Sequence, residues 1–216
     1  MKSILKIWSG LRRSTRALRE DSSGIAATEF AFIAPVMLVL FFGTVEFCSA
    51  VAVDRKVTLM ARALSDLTSQ AAVSMDDNYI TNIFTASVAI ANPYDPSPTT
   101  ATLSEVYVDS NNKATIVWSK SATIASGATQ ATLTGSARNP GDDVSTVVPS
   151  QLLVRKTYLI FSEVGYTYKP TIGYTMAKAG VALNDVSYTR PRQLTCVVYN
   201  NVPVLTGTPP TTCPLN

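Results

Sequence analysis

From Phe30 to Val45 the chain runs 16 residues without a charge, and after Glu46 the apolar pattern resumes through Phe47, Cys48, Ala50, Val51, Ala52 and Val53. About 20 mostly apolar residues suffice for a helix to cross a bilayer, so this run predicts a membrane-spanning helix over residues 25–53. Past Asp54, Arg55 and Lys56 the pattern changes. Val57, Met60, Ala61, Leu64, Leu67 and Ala71 recur at intervals of three and four, which marks one face of an amphipathic helix. No proline or glycine interrupts Thr44 to Ala91, so the helix is expected to run straight out of the bilayer. If it reaches Gln70 it spans about 70 Å, at about 1.5 Å per residue. Ser74-Met75-Asp76-Asp77 predicts a second helix start with Ser74 as cap, and Ile80, Ile83, Phe84 and Val88 fall on one face that packs back on the first.

Prolines at 93, 96 and 98 mark a loop, after which the hydrophobic period shortens to two. Leu103 to Asp109 and Ala114 to Ser119 predict two strands joined by a polar turn, with Ala114, Ile116 and Trp118 on one side of the second. Ser121 to Ser145 is rich in Gly, Ser, Thr and Asn and is expected to be part loop and part weak strand. Pro149 to Val154 predicts a short helical turn, Thr157 to Tyr168 the strongest strand, and Val181 to Thr189 and Leu194 to Tyr199 two more. The tail, VPVLTGTPPTTCPLN, is Pro/Thr-rich and extended. The expected class is α+β: a long N-terminal helix, then a second helix packed with a small antiparallel sheet.

Length and charge sharpen this plan. At 216 residues, 46% of them hydrophobic, the chain has room for one ordinary domain plus an appended segment. The net charge is +3, yet Lys2, Lys6, Arg12, Arg13, Arg16 and Arg19 all precede Gly24, opposed there only by Glu20 and Asp21. From Ile25 onward 12 basic residues (18 less those six) meet 13 acidic ones. That body has no basic surplus with which to displace counterions from a nucleic acid, so nucleic-acid binding is set aside. By the positive-inside rule the basic end stays in the cytoplasm and the remainder is exported. The expected organisation is a cytoplasmic leader over 1–24, a membrane helix over 25–53, a helical continuation and second helix over 54–92, and an exported β-rich part over 101–216.

Chemistry for catalysis is sparse. Histidine, the commonest general base near neutral pH and the commonest metal ligand, is absent. The SxxK, GxSxG, GxxxxGK[ST], HExxH and CxxC patterns are absent too, so neither an enzyme nor a metal or cofactor site is expected. Asp185-Val186-Ser187-Tyr188-Thr189 is similar to the metal-binding DxSxS of adhesion domains, but that motif opens a large α/β domain and only 27 residues follow Thr189; a strand edge is expected instead. Cys196 and Cys213 lie 17 apart in the part placed outside the membrane, where an oxidising compartment lets them pair. Closing an 18-residue loop stabilises by about 3 kcal/mol. Cys48 is expected to be a small buried or lipid-facing residue, Glu46 a solvated helix-end charge, and Trp118, Tyr166 and Tyr168 core or sheet-face aromatics. Arg190 and Arg192 are expected at a strand end.

The N-terminus admits three readings. A plain signal anchor leaves Glu29 at the cytoplasmic interface, where a charge costs far less than at the bilayer centre. A cleaved secretory signal has Ala50-Val51-Ala52 as its A-x-A site, although the helical pattern runs through that point. The third takes together the basic leader, Gly24, Ile25-Ala26-Ala27-Thr28, Glu29-Phe30 and the unbroken apolar helix. This resembles the class III signal of type IV prepilins, a glycine followed by four residues and then E-F. The resemblance implies that a prepilin peptidase cuts after Gly24, leaving Ile25 as the first residue and Glu29 as the fifth. It also implies that Glu29 pairs with the freed amino terminus of a neighbouring subunit on assembly. A buried charge is tolerable when so paired.

DSSGIAATEFAFIAPVMLVLFFGTVEF with Pro35, the continuation containing Arg62, Val117-Trp118-Ser119, Glu163 to Pro170, and Tyr188-Thr189-Arg190-Pro191-Arg192 together resemble the TadE-like minor pseudopilins of the tight-adherence, or Tad/Flp, pilus system. The looser C-terminal likeness also suits a TadG-like relative. The resemblance implies a pilin-like fold in the inner membrane, N-terminus cytoplasmic and C-terminal domain periplasmic. It implies a structural role in biogenesis of an adhesive pilus, with other minor pseudopilins, a major Flp-type pilin and the assembly platform as partners. A function of a different class remains open: an uncleaved, membrane-anchored binding module, adhesin or sensor.

Overall fold

A computed structural model describes residues 23–72, 74–170 and 180–200. Its elements are α1 (Ser23–Ser69), α2 (Asp77–Val88), a 3-10 turn (Ala89–Ala91), β1 (Thr99–Val108), β2 (Ala114–Thr123), β3 (Thr132–Thr134), a second 3-10 turn (Ser150–Leu152), β4 (Thr157–Tyr168) and β5 (Val181–Thr189). The protein is therefore α+β, with a long N-terminal apolar helix, a short second helix and one antiparallel sheet. The chain divides into two compact units, Met1–Phe47 and Cys48–Asn216.

In the first unit α1 keeps its helical backbone through Pro35. Nearly all its large side chains face outward: Phe32 is 81% exposed, Phe30 72% and Leu40 64%. α1 is long and apolar enough to cross a membrane, its most apolar 18-residue stretch having a mean hydropathy of 2.2. Glu46 departs from expectation: it is only 4% exposed rather than a solvated helix-end charge, and it is engaged. Cys48 is exposed and free, in keeping with the lipid-facing option.

In the second unit the five strands pair in the order β3-β2-β1-β4-β5, every neighbour antiparallel. One sheet face packs under Val53, Val57, Met60, Ala61 and Leu64 of α1 and Ile80, Ile83 and Phe84 of α2, meeting Leu103, Trp118, Ile160, Val164, Tyr166 and Tyr168. These helix positions recur at three and four because that spacing keeps them on one side of the cylinder. The opposite face has its own smaller core, where Val144 and Val148 cover Val106, Val108, Ala114, Ile116, Leu159 and Phe161.

Three expectations need correction. Trp118 does not share a side with Ala114 and Ile116. The register shifts between Glu105 and Val106, with Glu105 opposite Trp118 and Val106 opposite Ile116, so Val117 is an extra residue in β2. Such a bulge resets the alternation and sends Trp118 to the helix side. Next, α2 is capped by Asp76, whose carboxylate accepts the Tyr79 N–H at 2.8 Å, and not by Ser74. Met75 is drawn into an extended bridge with Tyr199, which holds the chain out of helix until Asp76. Finally, Leu194 to Tyr199 is an arm and not a strand: it holds only isolated bridges, at Leu194 and at Tyr199, the second flanked by Met75 N–H to Val198 O at 2.9 Å and Asn200 N–H to Met75 O at 2.9 Å.

β1 begins four residues before the predicted Leu103 and β2 runs four past the predicted Ser119, since both continue pairing there; the remaining elements are as predicted. β4 and β5 have the expected bounds, the turn near residue 150 is a 3-10 helix, and the weak strand of the Gly/Ser/Thr-rich region is β3. Gly165 is needed where it lies, because a Cβ there would sit 2.8 Å from Asn184 Oδ1 and 3.0 Å from Thr100 Oγ1.

Candidate functional site

Gly24 lies in the first turn of α1, and a Cβ built on it meets nothing within 4 Å. Packing within the chain therefore does not demand a glycine there. Ile25 and Glu29 stand one turn apart on the same side of α1, with Phe30 beside Glu29, and all three are exposed. The Thr28 hydroxyl turns back to donate to Ile25 O at 2.8 Å, so it offers no bond to the neighbouring carboxylate. Among the described residues Glu29 has no ion pair. A lone carboxylate on so apolar a surface is a group awaiting a cation.

The other predicted site residues lie in the second unit. Cys196 is buried at 1% exposure, and Cys213 falls outside the described residues. Trp118, Tyr166 and Tyr168 are core aromatics, as expected. Arg192 Nη2 reaches Asp66 Oδ1 at 2.5 Å and its N–H donates to Ser69 O at 2.8 Å, tying the chain after β5 to the end of α1; Arg190 is exposed.

The Asp185-Ser187-Thr189 series is a polar seam between β5 and α1. Thr58 donates to Asp185 Oδ2 at 2.5 Å, Ser65 to Ser187 Oγ at 2.9 Å, and Thr189 to Ser65 at 3.0 Å. Asp185 Oδ1 accepts the Val186 N–H at 2.7 Å. With both oxygens engaged, this carboxylate is fixed on its own edge strand. Asp185→Ala is expected to cost about 1–2 kcal/mol, because Thr58 loses its acceptor; the midpoint of denaturant unfolding reads it. Among the described residues no group of three or more His, Cys, Asp or Glu is placed to hold a metal.

One constellation escaped sequence reasoning. Glu105 is 1% exposed on the helix side of β1. Its Oε1 accepts the Val197 N–H at 2.5 Å, its Oε2 accepts Trp118 Nε1–H at 3.1 Å, and the same Nε1–H reaches Val197 O at 2.8 Å. Burial pushes its carboxyl up to about 8, outweighing those two donors. A signal was present, since Leu103, Glu105 and Tyr107 share one side of a period-two strand whose Leu belongs to the core.

An apolar helix headed by a bare glycine and a lone carboxylate, followed by helices packed on an antiparallel sheet, defines an α+β protein with a candidate membrane anchor. Its N-terminal segment is TadE-like: the family model described as TadE-like protein matches residues 24–65. That match begins at Gly24 and takes in the apolar helix and the start of its amphipathic continuation. Neither a curated protein nor a solved structure matches the chain.

Proposed function

We propose that the chain is a minor pseudopilin-like structural protein for biogenesis of a Tad/Flp-type adhesive pilus, cut by prepilin peptidase after Gly24. The observation that carries this reading is the coincidence of the TadE-like match at residues 24–65 with the G-x4-E-F signal at the head of an exposed apolar helix. The unfilled space around Gly24 supports it: the absence of a side chain answers to no neighbour in this chain, and suits a peptidase that must close on extended backbone. Residues 1–24 are then a cytoplasmic leader, 25–53 the inner-membrane helix, and the rest a periplasmic domain that catalyses nothing. Other minor pseudopilins, the major Flp-type pilin and the assembly platform are its partners, and Glu29 meets the free amino terminus of one of them.

The N-terminal sequence of the wild-type protein purified from membranes tests this. Ile25 is the expected first residue. Retention of Met1 would replace this reading with an uncleaved anchored binding module, and a start at Val53 with a secreted domain.

A Cys196–Cys213 disulfide belongs to the same proposal, supported by the burial of Cys196 and its export to an oxidising compartment. Cys213→Ser is expected to destabilise the exported domain by about 3 kcal/mol. Thiol labelling under denaturing, non-reducing conditions should find one reactive cysteine, Cys48, in the wild type and two in the variant.

A further inference from the structure

β4 outruns β5. Their last pair is Ile160 with Thr189, so Thr157, Tyr158 and Leu159 have no β5 residue beside them. A cavity of about 150 Å³ opens there, lined by Lys156, Thr157, Tyr158, Arg190, Pro191 and Thr195. We propose that this cavity binds a small tetrahedral oxyanion, a phosphate or a phosphate monoester, held by Lys156, Arg190 and the Tyr158 hydroxyl. Pockets for drug-sized ligands run to about 300–1,000 Å³, so a single compact group suits this one. The site lies within the second unit and does not depend on how the N-terminus is processed.

Tyr158 is 5% exposed, and its hydroxyl is buried with no hydrogen-bond partner. Its ring belongs to the core and packs on Tyr107 at 4.9 Å between centroids, so the side chain is not free to turn out to water. A buried oxygen of this kind costs stability unless something bonds it, and the cavity is the space from which a partner can come. Burial first, and then the nearby Glu105, raise the phenol further from ionisation, so it enters the site as an O–H donor. Lys156 and Arg190 are exposed, and among the described residues neither meets a carboxylate. Two unpaired cations on one small cavity repel each other, and an anion between them removes that repulsion.

The backbone holds both cations in place. Lys156 has φ 57°, the left-handed region that a side chain resists, and its N–H donates to Val108 O at 2.8 Å. Pro191 restricts the preceding Arg190 to extended backbone, and just beyond it Arg192 is tied to Ser69 O and Asp66. A guanidinium offers a phosphate two parallel donors and an ammonium offers it a point charge, so the pair divides the work of binding. A water molecule would satisfy the Tyr158 hydroxyl but leave both cations unpaired; an oxyanion satisfies all three. Glu105 is the carboxyl that bears on Tyr158, and burial pushes it up to about 8, so in mildly acidic solution it sets no charge against the anion.

Titration of the full chain with inorganic phosphate tests this, in micelles of a phosphate-free detergent at about pH 6 and with chloride holding the ionic strength constant. Saturable shifts of the Lys156, Tyr158 and Arg190 amides are expected, half-complete at about 1 mM. Tyr158→Phe should weaken binding about fivefold or more, yet leave the phosphate-free melting temperature unchanged or higher, because the lost hydroxyl had no partner. Arg190→Gln should weaken binding at least about tenfold. Lys169→Gln, the same change of charge just past the far end of β4, should leave it unaltered. Glycerol phosphate separates the two sources: binding as tight or tighter makes a phosphate monoester the ligand, and weaker binding the free ion. Shifts that never saturate, equal affinity in Tyr158→Phe, or an equal loss in Lys169→Gln would overturn the site. So would a lower melting temperature of phosphate-free Tyr158→Phe, since the hydroxyl would then have a partner within the protein. Should Arg190→Gln fail to fold, Tyr158→Phe decides alone.

Discussion

Gly24→Ala should leave the chain at full length in the membrane, while the wild type loses the 24 residues before Ile25. The effect is expected to be all or none. A Cβ at position 24 meets nothing within 4 Å, so the substitution has no steric reason to disturb α1, and alanine favours a helix by about 1 kcal/mol over glycine. Any loss of processing then belongs to recognition by the peptidase and not to misfolding. Intact mass of the two purified proteins reads the result directly, and circular dichroism of both checks the fold. If Gly24→Ala is cut as completely as the wild type, the glycine is not the recognition element and the prepilin reading fails. If it stays whole and loses helicity as well, folding would account for the block, and Gly24→Ser would be needed to separate the two.

Phe84→Ala should unfold the second compact unit about 3–5 kcal/mol more readily than wild type. Phe84 is 0% exposed on the inner side of α2, beside Ile80 and Ile83 and against the sheet. Removing its ring deletes apolar contact and leaves a hole that the rigid sheet cannot close. At roughly 2–4 °C per kcal/mol for a domain of this size, the melting temperature should fall by about 6–20 °C. Asn82, exposed on the other side of the same helix, is the control, and Asn82→Ala should change stability by no more than about 0.5 kcal/mol. Thermal unfolding of the full chain in micelles, followed by near-ultraviolet circular dichroism, measures both. A loss below about 1 kcal/mol for Phe84→Ala would mean that α2 is not packed on the sheet.

Much of the N-terminal segment was legible because a helix apolar enough to cross a membrane writes its constraint at every position. Sixteen uncharged residues after Glu29 admit few other structures, and the TadE-like match falls on that stretch. β4 and β5 were legible for a similar reason: TYLIFSEVGYTY and VALNDVSYT are rich in β-branched and aromatic residues, and Lys169-Pro170 and Gly180 mark where β4 ends and β5 begins. The buried Glu105 was less legible. Glu105 follows Leu103 on the core side of β1, but a carboxylate there reads as a surface group until the arm that covers it is known.

By itself, then, the sequence determined where helix and strand begin to alternate, which segment suits a bilayer, and which glycine and carboxylate stand at its head. These follow from local spacing, since neighbours three, four or two apart decide which side a residue faces. Tertiary structure decided the rest. The bulge at Val117 turned Trp118 to the other face, Tyr199 moved the cap of α2 from Ser74 to Asp76, and Val197 made a core group of Glu105. Glu105 meets Val197 across 92 positions of chain, and the Met75–Tyr199 bridge spans a longer separation still. No local period encodes a contact at that distance; it exists once the sheet has formed and the arm has folded back on it.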